Sequence, residues 1–100
     1  MGFASDKQAS TTKVKVIIMI PKIKTFLPMD EYMLKVTFDD GKTVLYDVKD
    51  DIKSIPSYGD LLNVYGLFNQ AHLDESRTVI SWTDEIDLPS DSIYEFGTPV

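Results

Sequence analysis

The chain has no cysteine and only one histidine, His72, among its 100 residues. The missing thiols exclude a disulfide framework, a zinc–thiolate site and a cysteine nucleophile, and they suit a reducing compartment. We therefore expect a cytoplasmic protein. Because any transition-metal site would have to combine one histidine with carboxylates, we predict a structural or surface role for His72, and no cofactor.

Long hydrophobic runs are also missing. The longest, residues 16–20, is far shorter than the roughly 18 residues that span a bilayer, so no transmembrane helix is predicted. Residues 1–12 are polar and small and lack the basic and apolar regions of a secretory signal. We expect residues 1–18 to be a partly disordered leader or non-native extension that feeds the first strand, and residues 19–100 to form a single domain.

The motifs of common catalytic and nucleotide sites do not occur. No serine lies in a Gly-x-Ser-x-Gly elbow, and neither Gly-x-Gly-x-x-Gly nor a Gly-Lys-Ser/Thr loop is present. Nothing in the pattern would activate a nucleophile, so we predict a protein that is not an enzyme and assign no catalytic residue.

Charge is distributed unevenly along the chain. The formal net charge is −6, yet residues 1–42 carry seven Lys/Arg against five Asp/Glu, whereas residues 43–100 carry three against eleven. An acidic second half repels phosphate backbones, so direct nucleic-acid binding is not expected. We expect instead a small, basic protein partner.

The clearest predicted element is a β-hairpin around Asp39-Asp40-Gly41. Apolar residues alternate on both sides of this turn, and a three-residue loop pairs Val36 with Val44, whereas a two-residue turn would put Val44 on the wrong face. Gly41 then takes the left-handed position, where a side chain would be strained.

The remaining pattern predicts short elements around this hairpin. Residues 57–66 predict a helix with Ser57 as N-cap, Gly66 as its stop, and one core-facing side made of these four residues: Tyr58, Leu61, Leu62 and Tyr65. Residues 68–73 and 78–83 predict a second hairpin, residues 86–88 a short strand, and residues 90–96 a last helical turn closed by Gly97. The fold class is α+β: a small, mostly antiparallel β-sheet of two hairpins plus an N-terminal strand, packed against one or two short helices.

The first strand is ambiguous in its extent. Residues 13–20 alternate and then become apolar, Pro21 interrupts them, and a further stretch ends at Pro28, which indicates one bent edge strand or two strands; we favour the bent strand. Its lysines (Lys13, Lys15, Lys22 and Lys24) either protect the edge from aggregation or form an anionic contact strip. A homodimer through this edge strand stays open.

The most suggestive cluster for function is Trp82 with Asp84, Glu85 and Asp87. Three interpretations stay open for it: a solvated turn, an edge that contacts a partner, and a metal site, although the spacing matches no calcium loop.

Three blocks of residues resemble a known family. They are Pro21-Lys22-Ile23; the hairpin residues 34–41 with residues 46–48; and Ile80-Ser81-Trp82 with residues 86–95. In order and spacing they are similar to a bacterial family catalogued as domain of unknown function 2442, over about four fifths of the chain. The extra residues before Met19 and the lack of a C-terminal helix-turn-helix extension depart from some relatives.

The resemblance implies a compact α+β domain, in some relatives followed by a helix-turn-helix domain and in others encoded beside another small protein. It implies no catalytic residues. Our leading hypothesis is a protein-interaction domain, the antitoxin-like or regulatory member of a bacterial gene pair. The alternative is a small-ligand-sensing or DNA-linked regulatory domain with a ligand between the helix at residues 57–66 and the sheet.

Overall fold

The computed structural model describes residues 20–100, which form two antiparallel sheets and several short helices. This architecture confirms the α+β fold class, with the two predicted hairpins in separate sheets. The strands are β1 (Ile23–Met29), β2 (Met33–Phe38), β3 (Thr43–Asp47), β4 (His72–Leu73), β5 (Val79–Thr83), β6 (Ile86–Pro89) and β7 (Thr98–Pro99). The α-helices are α1 (Lys49–Ser54), α2 (Asp60–Asn63) and α3 (Ser90–Phe96), and 3-10 helices cover Asp30–Tyr32, Pro56–Gly59 and Leu67–Gln70.

The first sheet has the strand order β1-β2-β3-β7 and contains the predicted hairpin. Val36 lies opposite Val44 and Leu34 opposite Tyr46, so the register derived from parity is confirmed. The loop is closed by a hydrogen bond from the Phe38 amide to the Lys42 carbonyl, at 2.8 Å. Within it, Gly41 has a φ of 94°, the left-handed conformation that only glycine adopts without strain.

β1 forms one edge of this sheet and continues further than the sequence predicted. It passes through Pro28, which lies opposite Leu34, and ends at Met29, so the prediction that the strand stops at Pro28 is wrong. Proline is tolerated there because an edge strand has one side with no ladder hydrogen bonds to make. The predicted strand at residues 13–19, with Lys13 and Lys15, lies outside the described residues.

The second sheet has the order β4-β5-β6 and contains the predicted second hairpin and the short strand after it. The strand predicted at residues 68–73 is reduced to His72–Leu73, because Phe68 lies in the preceding 3-10 helix. The turn before β5 is held by Asp74, whose carboxylate accepts hydrogen bonds from the backbone amides of Thr78 and Val79, each at 3.1 Å.

The helix predicted over residues 57–66 is wrong in its extent. A 3-10 helix starts at Pro56 after the extended residue Ile55, so Ser57 is an exposed residue inside this 3-10 helix and not an N-cap. α2 ends at Asn63, and Gly66, with a φ of 78°, precedes the next 3-10 helix. Because the helix stops early, the predicted core face is split: Tyr58 and Leu61 are buried, while Leu62 and Tyr65 are exposed.

Both sheets and the helical segments contribute to a single hydrophobic core. Its buried side chains come from β1, β2, β3, β5 and β6, from the connection between β3 and α1, and from the helical segments: Ile23, Leu34, Val36, Phe38, Val44, Tyr46, Val48, Tyr58, Leu61, Leu67, Phe68, Ile80, Trp82, Ile86, Leu88 and Ile93. Burying one such large side chain contributes roughly 1.5–3 kcal/mol. No helix within residues 20–100 has the length and apolar character needed to cross a membrane.

The hairpin loop also fastens the rest of the domain to the first sheet. The Arg77 guanidinium donates two hydrogen bonds to the Asp39 carboxylate, at 2.7 and 2.9 Å, and this lowers the pKa of Asp39. The Tyr94 hydroxyl donates to Asp40 at 2.6 Å, which lowers the pKa of Asp40. The two loop carboxylates therefore connect the hairpin to the β4–β5 turn and to α3.

Candidate functional site

A cleft of about 380 Å³ lies where α1, the 3-10 helix Pro56–Gly59, β6 and α3 meet. We call it the acidic cleft. Aromatic, apolar and acidic side chains dominate its lining, which consists of Tyr46, Asp51, Ile55, Ser57, Tyr58, Glu85, Asp87, Leu88, Pro89, Ser92 and Phe96. Segments more than thirty residues apart in the sequence thus build one concave surface.

One wall is the pair formed by Tyr46 of β3 and Asp51 of α1. Asp51 lies in the first turn of α1, where a carboxylate is favoured by the helix dipole, and it accepts a hydrogen bond from the Tyr46 hydroxyl at 2.6 Å. Burial and this negatively charged acceptor raise the pKa of Tyr46. The Tyr46 hydroxyl therefore stays protonated at neutral pH and fixes the Asp51 carboxylate.

Tyr58 forms the floor of the cleft and links it to the core. Its ring is buried near Trp82, with ring centroids 6.5 Å apart, and its hydroxyl donates a hydrogen bond to the Asp87 backbone carbonyl. Burial, followed by the negative charges of Asp51 and Asp87, raises the pKa of Tyr58 to about 12. Both carboxylates therefore act electrostatically on the same buried hydroxyl.

The rim carries an exposed aromatic side chain, Phe96, at the end of α3. Phe96 is 71% exposed and lines both the acidic cleft and a neighbouring hollow of about 550 Å³. That hollow adds the carboxylates of Asp47 and Asp50 to the same side of the molecule. No lysine or arginine of residues 20–100 lines either cavity.

The chemistry of this arrangement is attraction of cationic groups. Carboxylates supply negative potential, and Phe96 offers an exposed ring that a guanidinium or ammonium group can stack on. Two serines, Ser57 and Ser92, line the cleft, but no histidine lines it with them. His72 lies exposed on β4, away from the cleft. Within the described part of the chain, no group of three or more acidic or histidine side chains is arranged to hold a metal ion.

The structure separates the four residues that the sequence grouped together. Glu85 and Asp87 line the acidic cleft, while Asp84 lies exposed in the β5–β6 turn and lines neither cavity. Trp82 is only 5% exposed, and its indole Nε1 donates a hydrogen bond to the Phe68 carbonyl at 2.9 Å. Trp82 is thus a core residue that a partner cannot reach, because its side of β5 faces inward.

The sequence pattern did not identify the cleft residues that come from outside the β5–β6 hairpin. Asp50 and Asp51 lie in the first turn of α1, where acidic residues are common, and that position does not indicate that Asp51 lines a cleft with Asp87. The one available signal was Phe96, an aromatic residue beside Gly97 at the end of a short helix. Of the predicted helix at residues 57–66, only Ser57 and Tyr58 line the acidic cleft, whereas Tyr65 is fully exposed and lines a different cavity.

Comparison with known proteins places this fold in a family. The model of the family described as protein of unknown function DUF2442 matches residues 23–99. The chain belongs to the DUF2442 family. The DUF2442 match runs from the first residue of β1 into β7 and so includes the whole acidic cleft. No curated protein and no solved structure matched the chain.

Proposed function

We propose that this DUF2442 domain is a non-enzymatic protein-interaction domain that binds a basic segment of a small protein partner in the acidic cleft. The observation that carries the proposal is that Asp51, Glu85 and Asp87 line one cleft together with the exposed Phe96. Electrostatic complementarity of this kind speeds association and selects positively charged partners. The biological role that fits is the antitoxin-like or regulatory member of a bacterial gene pair, acting in the cytoplasm.

Charge along the whole chain supports the same partner. Residues 43–100, which supply every residue of the cleft lining, carry an excess of negative charge, and such an excess attracts lysine- and arginine-rich surfaces. The cleft also carries two exposed apolar side chains, Ile55 and Phe96. Electrostatic attraction alone would not need these side chains, so they indicate a contact that also buries apolar surface. Apolar contact surrounded by charge is typical of protein interfaces.

The proposal is tested by affinity purification of the full chain from its native cells, with bound proteins identified by mass spectrometry. We expect one small, basic protein at near-equal amount. The cleft variant Asp51→Asn/Glu85→Gln/Asp87→Asn should lose it. The matched control Asp60→Asn/Glu75→Gln/Glu95→Gln removes the same charge from exposed residues outside the cleft and should retain it.

Two outcomes contradict the proposal. The first is that the native chain recovers no partner at near-equal amount. The second is that the cleft variant retains the partner as well as the control does, which would place the interaction elsewhere on the domain.

A second candidate function is small-ligand sensing, including sensing by a DNA-linked regulatory protein. It is favoured by the volume of the cleft, about 380 Å³, and by its tyrosine walls, because ligand sites fall in the range of roughly 300–1,000 Å³. A thermal-shift screen against cationic metabolites distinguishes the two functions. A stabilising compound that fails to stabilise the cleft variant supports sensing, and no stabilising compound counts against it.

A further inference from the structure

Phe96 is an exposed aromatic side chain on a backbone that the fold holds in place. It is the last residue of α3, and the Gly97 amide after it donates a hydrogen bond to the Ile93 carbonyl at 2.9 Å. Gly97 lies so close to β3 that an added Cβ would be 2.6 Å from Val44 Cγ2. The end of α3 is therefore packed against the first sheet, while Phe96 itself is 71% exposed.

The two aromatic rings of α3 differ in what covers them. Lys42 Nζ lies 4.0 Å from the centroid of the Tyr94 ring, which is a cation–π contact within the molecule. Within residues 20–100, no lysine or arginine lies over the Phe96 ring, and no other aromatic ring stacks on it. Phe96 is therefore the ring of this helix that has room for a cation supplied by a partner.

The carboxylates that line the acidic cleft with Phe96 keep much of their bonding capacity. Asp51 uses Oδ2 to accept the hydrogen bond from the Tyr46 hydroxyl. Glu85 and Asp87 are exposed, and neither forms an ion pair with any residue of 20–100. A cation that enters the cleft thus meets carboxylates whose charge the described chain does not neutralise.

A ring that shares a cleft with carboxylates distinguishes the two basic side chains. Exposed ion pairs alone contribute little, for lysine and arginine alike. A guanidinium is planar and weakly hydrated, so it can lie flat on a ring while its edge donates paired hydrogen bonds to a carboxylate. A lysine ammonium is compact and strongly hydrated, so contact with a ring costs it more hydration and gives no paired geometry.

We propose that the acidic cleft selects arginine over lysine, and that the partner segment inserts an arginine whose guanidinium stacks on Phe96 and pairs with a carboxylate of the cleft. This inference rests on the proposed function, because it names the side chain by which the basic partner is recognised. The occupant is a protein segment, since the exposed Ile55 of the same lining offers apolar contact beyond the guanidinium. Phe96 is then the residue that determines specificity, and the carboxylates supply the attraction.

The test compares the affinity of the full chain for two labelled peptides, one of five Gly-Arg repeats and one of five Gly-Lys repeats, by fluorescence anisotropy. The peptides carry the same charge, so a difference in affinity reports the side chain. We expect the arginine peptide to bind about threefold more tightly or better, because the guanidinium adds a contact with the ring. The cleft variant Asp51→Asn/Glu85→Gln/Asp87→Asn should weaken both peptides.

Substitution of Phe96 separates the ring from the carboxylates. Phe96→Leu keeps an apolar side chain and should remove the preference by weakening the arginine peptide alone. Phe96→Trp should enlarge the preference, because indole is the best aromatic partner for a cation, and it keeps the test informative if circular dichroism shows that Phe96→Leu unfolds. The matched control Tyr65→Leu removes an exposed aromatic ring outside the cleft and should leave the preference unchanged.

The outcomes distinguish this inference from the proposed function. Equal affinity for the two peptides, with both weakened by the cleft variant, supports the proposed function and overturns the selection of arginine. A preference that neither Phe96 variant changes, or that Tyr65→Leu also removes, overturns the role of Phe96. Free argininamide that binds as tightly as the arginine peptide overturns the assignment to a protein segment. Binding of neither peptide to the native chain contradicts both the inference and the proposed function.

Discussion

Tyr58 is the residue that joins the hydrophobic core to the acidic cleft. Its ring packs near Trp82, while its hydroxyl reaches the Asp87 carbonyl at the cleft floor. A buried phenol is stable only while it is protonated, since the phenolate would lose hydration and meet two nearby carboxylates. Stability and cleft structure are therefore coupled through one hydroxyl.

The alkaline pH dependence of unfolding tests this role of Tyr58. The ordinary pKa of tyrosine, about 10, applies to the unfolded chain, whereas the folded value is raised to about 12. The free energy gained from burying the neutral phenol is thus fully present below pH 10 and is lost as pH rises through 12. Tyr58→Phe should lower the free energy of unfolding by roughly 1–2 kcal/mol at pH 8, because the Asp87 carbonyl loses its donor.

The difference between native chain and Tyr58→Phe should then shrink between pH 10 and pH 12, measured by urea unfolding at each pH. Burial and the Asp51 acceptor, which are the largest causes of the raised pKa of Tyr46, are present in both proteins. The smaller contribution of Tyr58 to that pKa is absent from Tyr58→Phe, so the effect of Tyr46 cancels only in part. A difference that stays constant over that interval would contradict the burial of a neutral Tyr58 hydroxyl.

At the scale of elements, the hairpin β2–β3 depends on one backbone conformation. Gly41 has a φ of 94° and open space around the position of a side chain, so strain there comes from the backbone alone. Gly41→Val should lower the free energy of unfolding by about 1–2 kcal/mol. Equilibrium urea unfolding followed by circular dichroism measures this change.

Gly59 provides the matched control for the hairpin. It has a φ of −58°, and an added Cβ would make only an ordinary contact with Asn63 at 3.8 Å. Gly59→Ala should be neutral or stabilise by up to about 1 kcal/mol, because it reduces the freedom of the unfolded chain. Equal stability of Gly41→Val and the native chain would show that the loop does not need a left-handed residue.

The hairpin could be predicted from the sequence because its information is local. Strand residues alternate with a period of two, so a single parity argument around Gly41 determined both the loop length and the register. The residues after Asp50 lack such a constraint. Pro56 starts a separate 3-10 helix, and Val64 is extended, so the continuous helical pattern of residues 57–66 is interrupted at both ends.

The acidic cleft could be predicted only in part, for the same reason. Glu85 and Asp87 are two residues apart in the sequence, which groups them in one cluster, whereas Asp51 joins them in one lining only because the elements that carry them pack on a common core. The sequence pattern grouped Trp82 with a possible partner-contact edge, but the residue is internal. Its indole N–H donates a hydrogen bond to the Phe68 carbonyl, a tertiary contact that local pattern does not reveal. Periodicity shows which side of a strand a residue occupies, but not which side meets another element.

At the scale of the whole molecule, the domain carries two distinct surfaces. The acidic cleft is bordered by carboxylates and an exposed phenylalanine, whereas a second cavity, lined by the exposed Leu62 and Tyr65, has Asp30 and Glu31 at its edge. Of these two surfaces, only the cleft combines acidic residues from distant segments, with Asp51 of α1 and Glu85 and Asp87 of the β5–β6 hairpin in one lining. The cleft is therefore the surface on which the proposed partner interaction depends.

The most direct test of that claim is the affinity of the purified partner for the full chain, measured by titration calorimetry at several salt concentrations. We predict that Asp51→Asn/Glu85→Gln/Asp87→Asn weakens binding at least tenfold at low salt and reduces its salt dependence, because surface charge pairs are screened by ions. The control Asp60→Asn/Glu75→Gln/Glu95→Gln should bind within about threefold of the native chain. Equal weakening by both variants would show that only net charge matters and would contradict a binding site in the acidic cleft.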